Sequence, residues 1–264
     1  MLAPAPPTLV FISGAFVTAD CWDNWRPFFE SHGYACHAPA WPHKDAPAAE
    51  LRRQHPQSPI AQNGLEDVLR VYLDFIAALP TPPIVIGHSY GGLLVQLLVQ
   101  RGVVEAGVAI ESVPPLGVVS LSWSFVRAVL PTLGLFSSAR ITFLPTFRQW
   151  QTTIANGLPA DQQRLFYERL VTPESKKLTR QALSRRAQVD FSRPHAPLLF
   201  LAGGADRLMP AALNYANYRR YRHPGSVRRY HELPGRCHAL LGQPTWPEDA
   251  ALVLRWLGTL AESR

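Results

Sequence analysis

The chain has 264 residues, of which 47% are hydrophobic and 17% charged, with 25 Pro and 17 Gly. This composition predicts a globular, soluble protein and excludes disordered, collagen-like and low-complexity chains. The formal net charge is +7, but no basic run with interleaved aromatic residues is present, so we expect no nucleic-acid partner. Three cysteines, Cys21, Cys36 and Cys237, are too few and too scattered for a disulfide framework or a zinc site, which favours a reducing, cytoplasmic location.

Two apolar stretches could be a signal peptide or a membrane-spanning helix, and each has to be considered in turn. The first covers residues 8–12; it is very short and no basic residue precedes it, so it is not typical of a signal peptide. The second covers residues 116–136 and carries only Arg127 as a charge, but serines and Pro131 interrupt it. A spanning helix needs about 20 predominantly apolar residues, so we expect no stable membrane insertion.

The first half of the chain alternates between short apolar runs and amphipathic segments. Asn63 is the expected N-cap of the clearest helix, in which leucine, valine and isoleucine recur at helical spacing. Short apolar runs bounded by loops are typical of buried strands. The predicted elements are strand 8–12, helix 19–32, strand 34–37, loop 43–58, helix 63–79, strand 84–86, helix 93–100 and strand 108–110.

The alternation stops after residue 112 and returns at residue 197. From there we predict strand 198–202, helix 210–222, strand 227–232 and a last helix whose start, Thr245 to Glu248, has the spacing of a capping box. Strands alternating with helices predict an α/β protein with a mostly parallel sheet and helices on both faces. We therefore assign residues 1–112 and 197–264 to the core and residues 113–196 to a helical cap, or lid, inserted into it. This insertion holds 11 Lys and Arg against 4 Asp and Glu, and residues 172–174 (Thr-Pro-Glu) are an expected helix start.

The clearest chemical signal is Gly87-His88-Ser89-Tyr90-Gly91, which fits the pattern G-x-S-x-G. It lies between a predicted strand and a predicted helix, which is the context that this pattern requires. A serine on such a tight turn projects its hydroxyl above the sheet, and the residues two positions away must be very small. The helix that follows points its N-terminus at developing negative charge. Ser89 is therefore the candidate nucleophile, and the adjacent His88 is interpreted as structural.

A nucleophilic serine needs a general base, and the base needs a carboxylate to orient it. Loops that leave the C-terminal ends of parallel strands gather at one edge of the sheet, so the partners should follow strands. Asp206 follows strand 198–202 and His238 follows strand 227–232. Glu111, which also ends a strand, is the rival for the role of the acid. Cys237 is interpreted as a small packing residue beside the base.

The tetrahedral intermediate of acyl transfer also needs two backbone N–H donors. One should be the N–H of Tyr90, which follows the nucleophile. The other should come from the loop after the first strand, where Gly14 permits a close approach. We assign it to Ala15, with Phe16 as the alternative if the register differs by one residue.

Taken together, the loop Ser-Gly-Ala-Phe, the turn GHSYGG, the segment GGADRLMP and the segment GRCHALLG resemble the α/β-hydrolase superfamily, serine hydrolase branch. The resemblance covers the chain except for residues 113–196, where such proteins commonly carry a helical cap. It implies an acyl-enzyme mechanism, no metal and no organic cofactor. One departure is Ser13, where many relatives have a histidine that supports the oxyanion loop. Ala239 stands where hydroxynitrile lyase relatives have a lysine, and dehalogenase and epoxide hydrolase relatives have Asp at the position of Ser89.

The expected function is hydrolysis of a carboxylic ester or lactone. Acyl transfer or thioester cleavage in a biosynthetic pathway would use the same residues, and a hydrolase-fold ligand receptor is the non-enzymatic alternative. Aromatic residues of the insertion suggest a small-molecule substrate that is largely apolar. The oligomeric state stays open, with a homodimer allowed. The residues expected to line the substrate pocket are Phe16, Trp123, Phe125, Phe147 and Trp150.

Overall fold

The computed structural model describes residues 7–119 and 123–262, with side chains from residue 125 onward in the second range. Within these ranges, six parallel strands form one sheet in the order β2-β1-β3-β4-β7-β8, and β5 pairs with β6 in a separate two-stranded antiparallel sheet. The strands are β1 (Thr8–Ile12), β2 (Ala35–His37), β3 (Ile84–His88), β4 (Ala106–Ile110), β5 (Thr142–Phe143), β6 (Glu174–Ser175), β7 (Leu198–Gly203) and β8 (Arg228–Leu233).

Helices lie between successive strands along the chain. In residues 7–119 and 123–262, short 3-10 helices cover Ala19–Trp22, Pro59–Gln62, Arg185–Ala187 and Leu240–Gly242. The α-helices are α1 (Trp25–Glu30), α2 (Ala48–Arg53), α3 (Leu65–Ala77), α4 (Tyr90–Gln100), α5 (Trp123–Leu133), α6 (Phe147–Thr153), α7 (Ala160–Leu170), α8 (Lys176–Gln181), α9 (Ala211–Arg220) and α10 (Trp246–Ala261).

Both faces of the sheet are buried at its four central strands, β1, β3, β4 and β7. Side chains alternate along a strand, so Val10 and Ile12 of β1 enter one hydrophobic cluster and Leu9 and Phe11 enter another. The first cluster packs against α3 and α4, and the second packs against α1 and α10. This two-sided burial explains the continuous apolar runs of β1, β3, β4 and β7, and the sheet with helices on both faces confirms the predicted α/β architecture.

Three local predictions in the first half differ from the structure. The helix predicted for residues 19–32 is broken between Trp22 and Trp25. The loop predicted for residues 43–58 contains α2, which buries Leu51 and directs Arg52 to main-chain oxygens of residues 167, 168 and 171. Asn63 does not cap α3: Gly64 is the N-cap residue, its N–H donates to Asp67 Oδ2, and the side-chain amide of Asn63 donates to the oxygen of Pro42. Tertiary contacts override local sequence preference in the last two cases.

Two further differences concern helix starts in the second half. Residues 172–174 do not begin a helix: Glu174 lies in β6, and Ser175 caps α8 by accepting from the N–H of Leu178. Thr245 precedes α10 without a side-chain cap hydrogen bond. In both places the residue pattern located the helix to within a few positions but not the group that begins it.

The segment of residues 113–196 contains α5 to α8 and the paired strands β5 and β6, and its assignment as an inserted helical cap stays a prediction. In the part of the chain that is described, none of the helices has the length and apolar character needed to cross a membrane. Residues 120–122 of the apolar stretch weighed above lie outside the described residues.

Candidate active site

Ser89 lies on a tight turn between β3 and α4. Its backbone has φ 57° and ψ −117°, a strained conformation for a residue with a side chain, and its N–H donates to the oxygen of Ile110 at 2.9 Å. A Cβ on Gly91 would lie 2.1 Å from the oxygen of Ile12, and a Cβ on Gly87 would lie 2.2 Å from the oxygen of Gly91. The two flanking glycines are therefore required for the turn, which holds Ser89 at the carboxyl edge of the sheet.

Ser89, His238 and Asp206 form a continuous hydrogen-bonded chain. The distance from Ser89 Oγ to His238 Nε2 is 2.9 Å, and that from His238 Nδ1 to Asp206 Oδ2 is 2.7 Å. The other carboxylate oxygen, Asp206 Oδ1, accepts from the N–H groups of Leu208 at 2.7 Å and Met209 at 2.8 Å. All three side chains are buried, and they follow β3, β7 and β8 at the same edge of the sheet. This geometry allows His238 to take a proton from Ser89.

Glu111 lies next to these hydrogen-bonded residues; it is fully buried, follows the end of β4 and has φ 45°. Its Oε2 is 3.1 Å from His88 Nε2 and 3.6 Å from His238 Nδ1. Burial, followed by the nearby charge of Asp206, raises the pKa of Glu111 well above its usual range. Burial and the proximity of His238 lower the pKa of His88. Both pKa shifts favour a neutral Glu111 carboxyl that donates to the neutral His88 imidazole. Glu111 is therefore poorly suited to orient His238 as a charged carboxylate.

The spacing of His88, Glu111 and His238 also has to be considered as a metal site, since their ligand atoms lie within 4.8 Å of one another. Both ring nitrogens of His238, however, are already hydrogen-bonded, to Ser89 and to Asp206. A metal would have to displace one of these short contacts. The donor set therefore fits a hydrogen-bonded network better than a cation site.

The loop after β1 packs directly against the serine. A Cβ on Gly14 would lie 3.0 Å from Ser89 Cβ, and Ala15 and Tyr90 both line the cavity above it. The N–H of Phe16 donates to Glu174 Oε2 at 3.2 Å. Because the N–H of Phe16 is engaged in this way, Ala15 is the better candidate of the two loop residues for an oxyanion donor. No sequence pattern marked Glu174 as part of this site, because it lies far away along the chain.

A cavity of about 130 Å³ opens over Ser89 and His238. Of the residues predicted to line it, Phe16, Phe125 and Trp150 do so. Phe147 does not: it packs edge-to-face against Tyr167, with the guanidinium of Arg164 over its ring. The side chain of Trp123 lies outside the described residues.

The described part of the cavity wall carries no Asp, Glu, Lys or Arg side chain. Arg127, Arg140 and Arg148 are exposed and are not among its lining residues. Residues that the sequence did not single out supply most of the wall, and they share an apolar character: Val113, Val129, Leu133, Ile154, Phe166, Leu170, Leu208, Met209 and Leu241. Their positions on different loops and helices leave no periodic signal in the sequence.

Two cysteines lie beside the site, and burial disfavours the ionised thiolate form of both. Cys237 is fully buried beside His238, and burial raises the pKa of its thiol. Cys21 lines the cavity, and burial raises its pKa even more strongly. A thiol must ionise to react, so Ser89 is the stronger nucleophile candidate.

Comparisons with known proteins agree with this architecture. The model of the alpha/beta hydrolase family matches residues 9–250. A monoacylglycerol lipase from Paleococcus ferrophilus is similar, with a TM-score of 0.70 and 18% identity over 96% of this chain and 95% of that one. A methylesterase from Arabidopsis has a TM-score of 0.68 and 14% identity, covering 96% and 99% of the two chains. A pyrethroid hydrolase from Sphingobium faniae has a TM-score of 0.67 and 18% identity, covering 97% and 99%.

At these identities the structural likeness shows the fold, and it leaves the reaction to be argued from the site. A comparison with curated protein sequences found no match. The match to the family model spans most of the chain and includes the turn at Ser89, the loop at Asp206 and the loop at His238. The chain therefore belongs to the alpha/beta hydrolase family.

Proposed function

We propose that the protein is a serine hydrolase that cleaves an uncharged, largely apolar carboxylic ester or lactone through an acyl-enzyme. The observation that carries this proposal is the hydrogen-bonded chain from Ser89 through His238 to Asp206, with distances of 2.9 and 2.7 Å, at the floor of an apolar cavity. A nucleophile, a base and an orienting carboxylate in hydrogen-bond contact are the arrangement that acyl transfer requires.

In the proposed reaction, His238 Nε2 removes the proton of Ser89 as Oγ attacks the acyl carbon. Asp206 holds the Nδ1–H tautomer and stabilises the imidazolium that forms. The N–H groups of Ala15 and Tyr90 donate to the developing oxyanion. His238 then returns its proton to the leaving alkoxide, which departs as the alcohol. Water attacks the acyl-enzyme with His238 again acting as base, and this releases the acid and restores Ser89.

The cavity supports the proposed substrate class. Its wall carries no charged carboxylate, ammonium or guanidinium group among the described residues, so a charged substrate would be desolvated without a partner. Cavities of about 150 Å³ accommodate a benzene-sized molecule, so the volume of about 130 Å³ fits a short acyl chain or a single ring. We expect p-nitrophenyl esters with acyl chains of about four to six carbons to be better substrates than long-chain esters, because a short acyl chain fits a cavity of this size.

The decisive experiment combines a fluorophosphonate label, peptide mapping and the Ser89→Ala variant. We expect the label on Ser89, and a loss of about 10⁴ to 10⁶ in kcat for the variant. Ser192→Ala, at an exposed turn, is the matched control and should keep its activity. Labelling of a different residue, or unchanged turnover by Ser89→Ala, would refute the assignment. Product analysis with added alcohols then distinguishes hydrolysis from acyl transfer.

A further inference from the structure

A buried ion pair joins the core of the protein to the 113–196 segment. Lys44, in the loop after β2, places its Nζ 2.8 Å from Glu174 Oε2, and the two side chains are 2% and 0% exposed. The ammonium also lies 4.8 Å from the ring centre of Trp41. Because burying two charges removes them from water, such a pair contributes little net stability compared with apolar residues of similar size. A role beyond stability therefore has to be considered.

Glu174 supports the backbone next to the proposed oxyanion donor. Its Oε2 accepts from the N–H of Phe16 at 3.2 Å, and its Oε1 accepts from the N–H of Ser175 at 2.9 Å. Phe16 has φ 68°, in the left-handed region that bulky residues rarely adopt. Such a conformation persists only when the surroundings fix it. Because Phe16 follows Ala15 directly, holding the Ala15–Phe16 peptide in place limits the orientations available to the Ala15 N–H in the preceding peptide.

The segment around Glu174 contacts both backbone regions that carry the proposed oxyanion donors. The N–H of Thr172 donates to the oxygen of Phe16 at 2.8 Å, and Val17 pairs with Val171 in an antiparallel bridge. The hydroxyl of Tyr90, the other proposed donor residue, donates to the oxygen of Leu178 at 3.0 Å. Residues 171–178 therefore contact the loop at Phe16 and the start of α4 at the same time.

We propose that Glu174, with its charge balanced by Lys44, is a positioning residue of the oxyanion hole. It accepts the hydrogen bond of the Phe16 N–H, holds the strained loop, and so directs the Ala15 N–H toward the substrate oxygen. Stabilisation by backbone donors depends on their being fixed before the reaction, because reorganisation would cancel much of the benefit. The inference rests on the proposed function, since it needs Ala15 and Tyr90 to bind an oxyanion.

Two double variants isolate the hydrogen bond from the charges. Lys44→Met with Glu174→Gln removes both charges but keeps an acceptor for the Phe16 N–H. Lys44→Met with Glu174→Leu removes both charges and the acceptor. Asp23→Asn is the control, because Asp23 pairs with Arg169 in an exposed contact between the core and the same segment. The single variant Glu174→Asp keeps the charge but shortens the side chain, and it serves as the test if the leucine variant does not fold.

Each variant is measured with p-nitrophenyl butyrate, and the number of active molecules is counted by end-point fluorophosphonate labelling of Ser89. Removal of one oxyanion donor costs about 10² to 10³ in kcat, so a misdirected donor should cost about 10- to 100-fold. We therefore expect kcat per labelled site to be about 10- to 100-fold lower in the leucine variant than in the glutamine variant, with KM changing much less. The affinity for a trifluoromethyl ketone, which forms a tetrahedral oxyanion on Ser89, should fall by the same factor. Glu174→Asp should lose kcat in the same direction, and Asp23→Asn should match the wild type.

Equal kcat per labelled site in the two double variants would overturn the proposal, even if both were less stable. If the leucine variant does not fold, wild-type kcat in Glu174→Asp would overturn it in the same way. Failure of the proposed function gives a different result, because wild-type Ser89 would then not react with the fluorophosphonate. A purely structural ion pair changes the number of labelled sites and the thermal midpoint, but not the rate at each site.

Discussion

The choice between Asp206 and Glu111 as the orienting acid gives the sharpest test of the site. Asp206→Asn replaces the carboxylate that lies 2.7 Å from His238 Nδ1, whereas Glu111→Gln changes a group 3.6 Å away. An asparagine can present an N–H to Nδ1, which would place the ring proton on Nε2. In that tautomer His238 cannot accept the proton of Ser89.

The expected magnitudes follow from this geometry. Loss of the correct tautomer costs about 10⁴ in kcat, which is about 5.5 kcal/mol of transition-state stabilisation. Glu111→Gln should cost less than about tenfold, or about 1.4 kcal/mol, because a protonated carboxyl and an amide are both neutral and can both donate to His88. The raised pKa of Glu111 and the lowered pKa of His88 are the reason to expect the neutral pair.

The assay is kcat per fluorophosphonate-labelled site for both variants, from pH 6 to pH 9, with circular dichroism to verify the fold. Asp206→Asn should be the slower variant at every pH. A larger loss in Glu111→Gln than in Asp206→Asn would refute the reasoning and would move the acid to the end of β4.

The remaining predictions concern stability and substrate size. Burial raises the pKa of Glu111, so its carboxyl stays protonated in the folded protein at a pH where it is ionised in the unfolded chain, which releases the proton at about pH 4.3. Because the folded state then binds more protons than the unfolded state, the free energy of unfolding falls as pH rises. Glu111→Gln removes this dependence, so urea unfolding should increasingly favour the variant from pH 5 to pH 8, by at most about 1.4 kcal/mol per pH unit; a constant difference would contradict the burial argument. Gly91→Ala should destabilise the protein by about 3 kcal/mol or more, because the added Cβ would lie 2.1 Å from the oxygen of Ile12. Gly258→Ala, which adds a Cβ in open space on α10, should stabilise the protein by up to about 1 kcal/mol in the same unfolding experiment. Phe166→Ala removes a ring from the cavity wall and should shift the preferred p-nitrophenyl ester to a longer acyl chain; an unchanged chain-length profile would place substrate elsewhere.

Much of the fold was readable from local patterns. Buried strands of a parallel sheet are continuous apolar runs, so β1, β3, β4 and β7 stood out, and the turn at Ser89 was marked by glycines that no other residue can replace. Errors occurred where a distant contact decides the local structure. Helix α2 is an example, since the Arg52 guanidinium donates hydrogen bonds to the main-chain oxygens of residues 167, 168 and 171.

The candidate site divides in the same way. From local patterns alone, Ser89, Asp206 and His238 could be predicted as candidate site residues, because each follows a strand and parallel strands end at the same edge of a sheet. Three features depend on the packing of distant segments: Asp206 is the carboxylate nearest His238, Phe147 packs away from the cavity, and Glu174 contacts Phe16 from 158 residues further along the chain. Periodicity and spacing describe neighbours along the chain, whereas these contacts depend on how separate segments pack, which no local pattern contains.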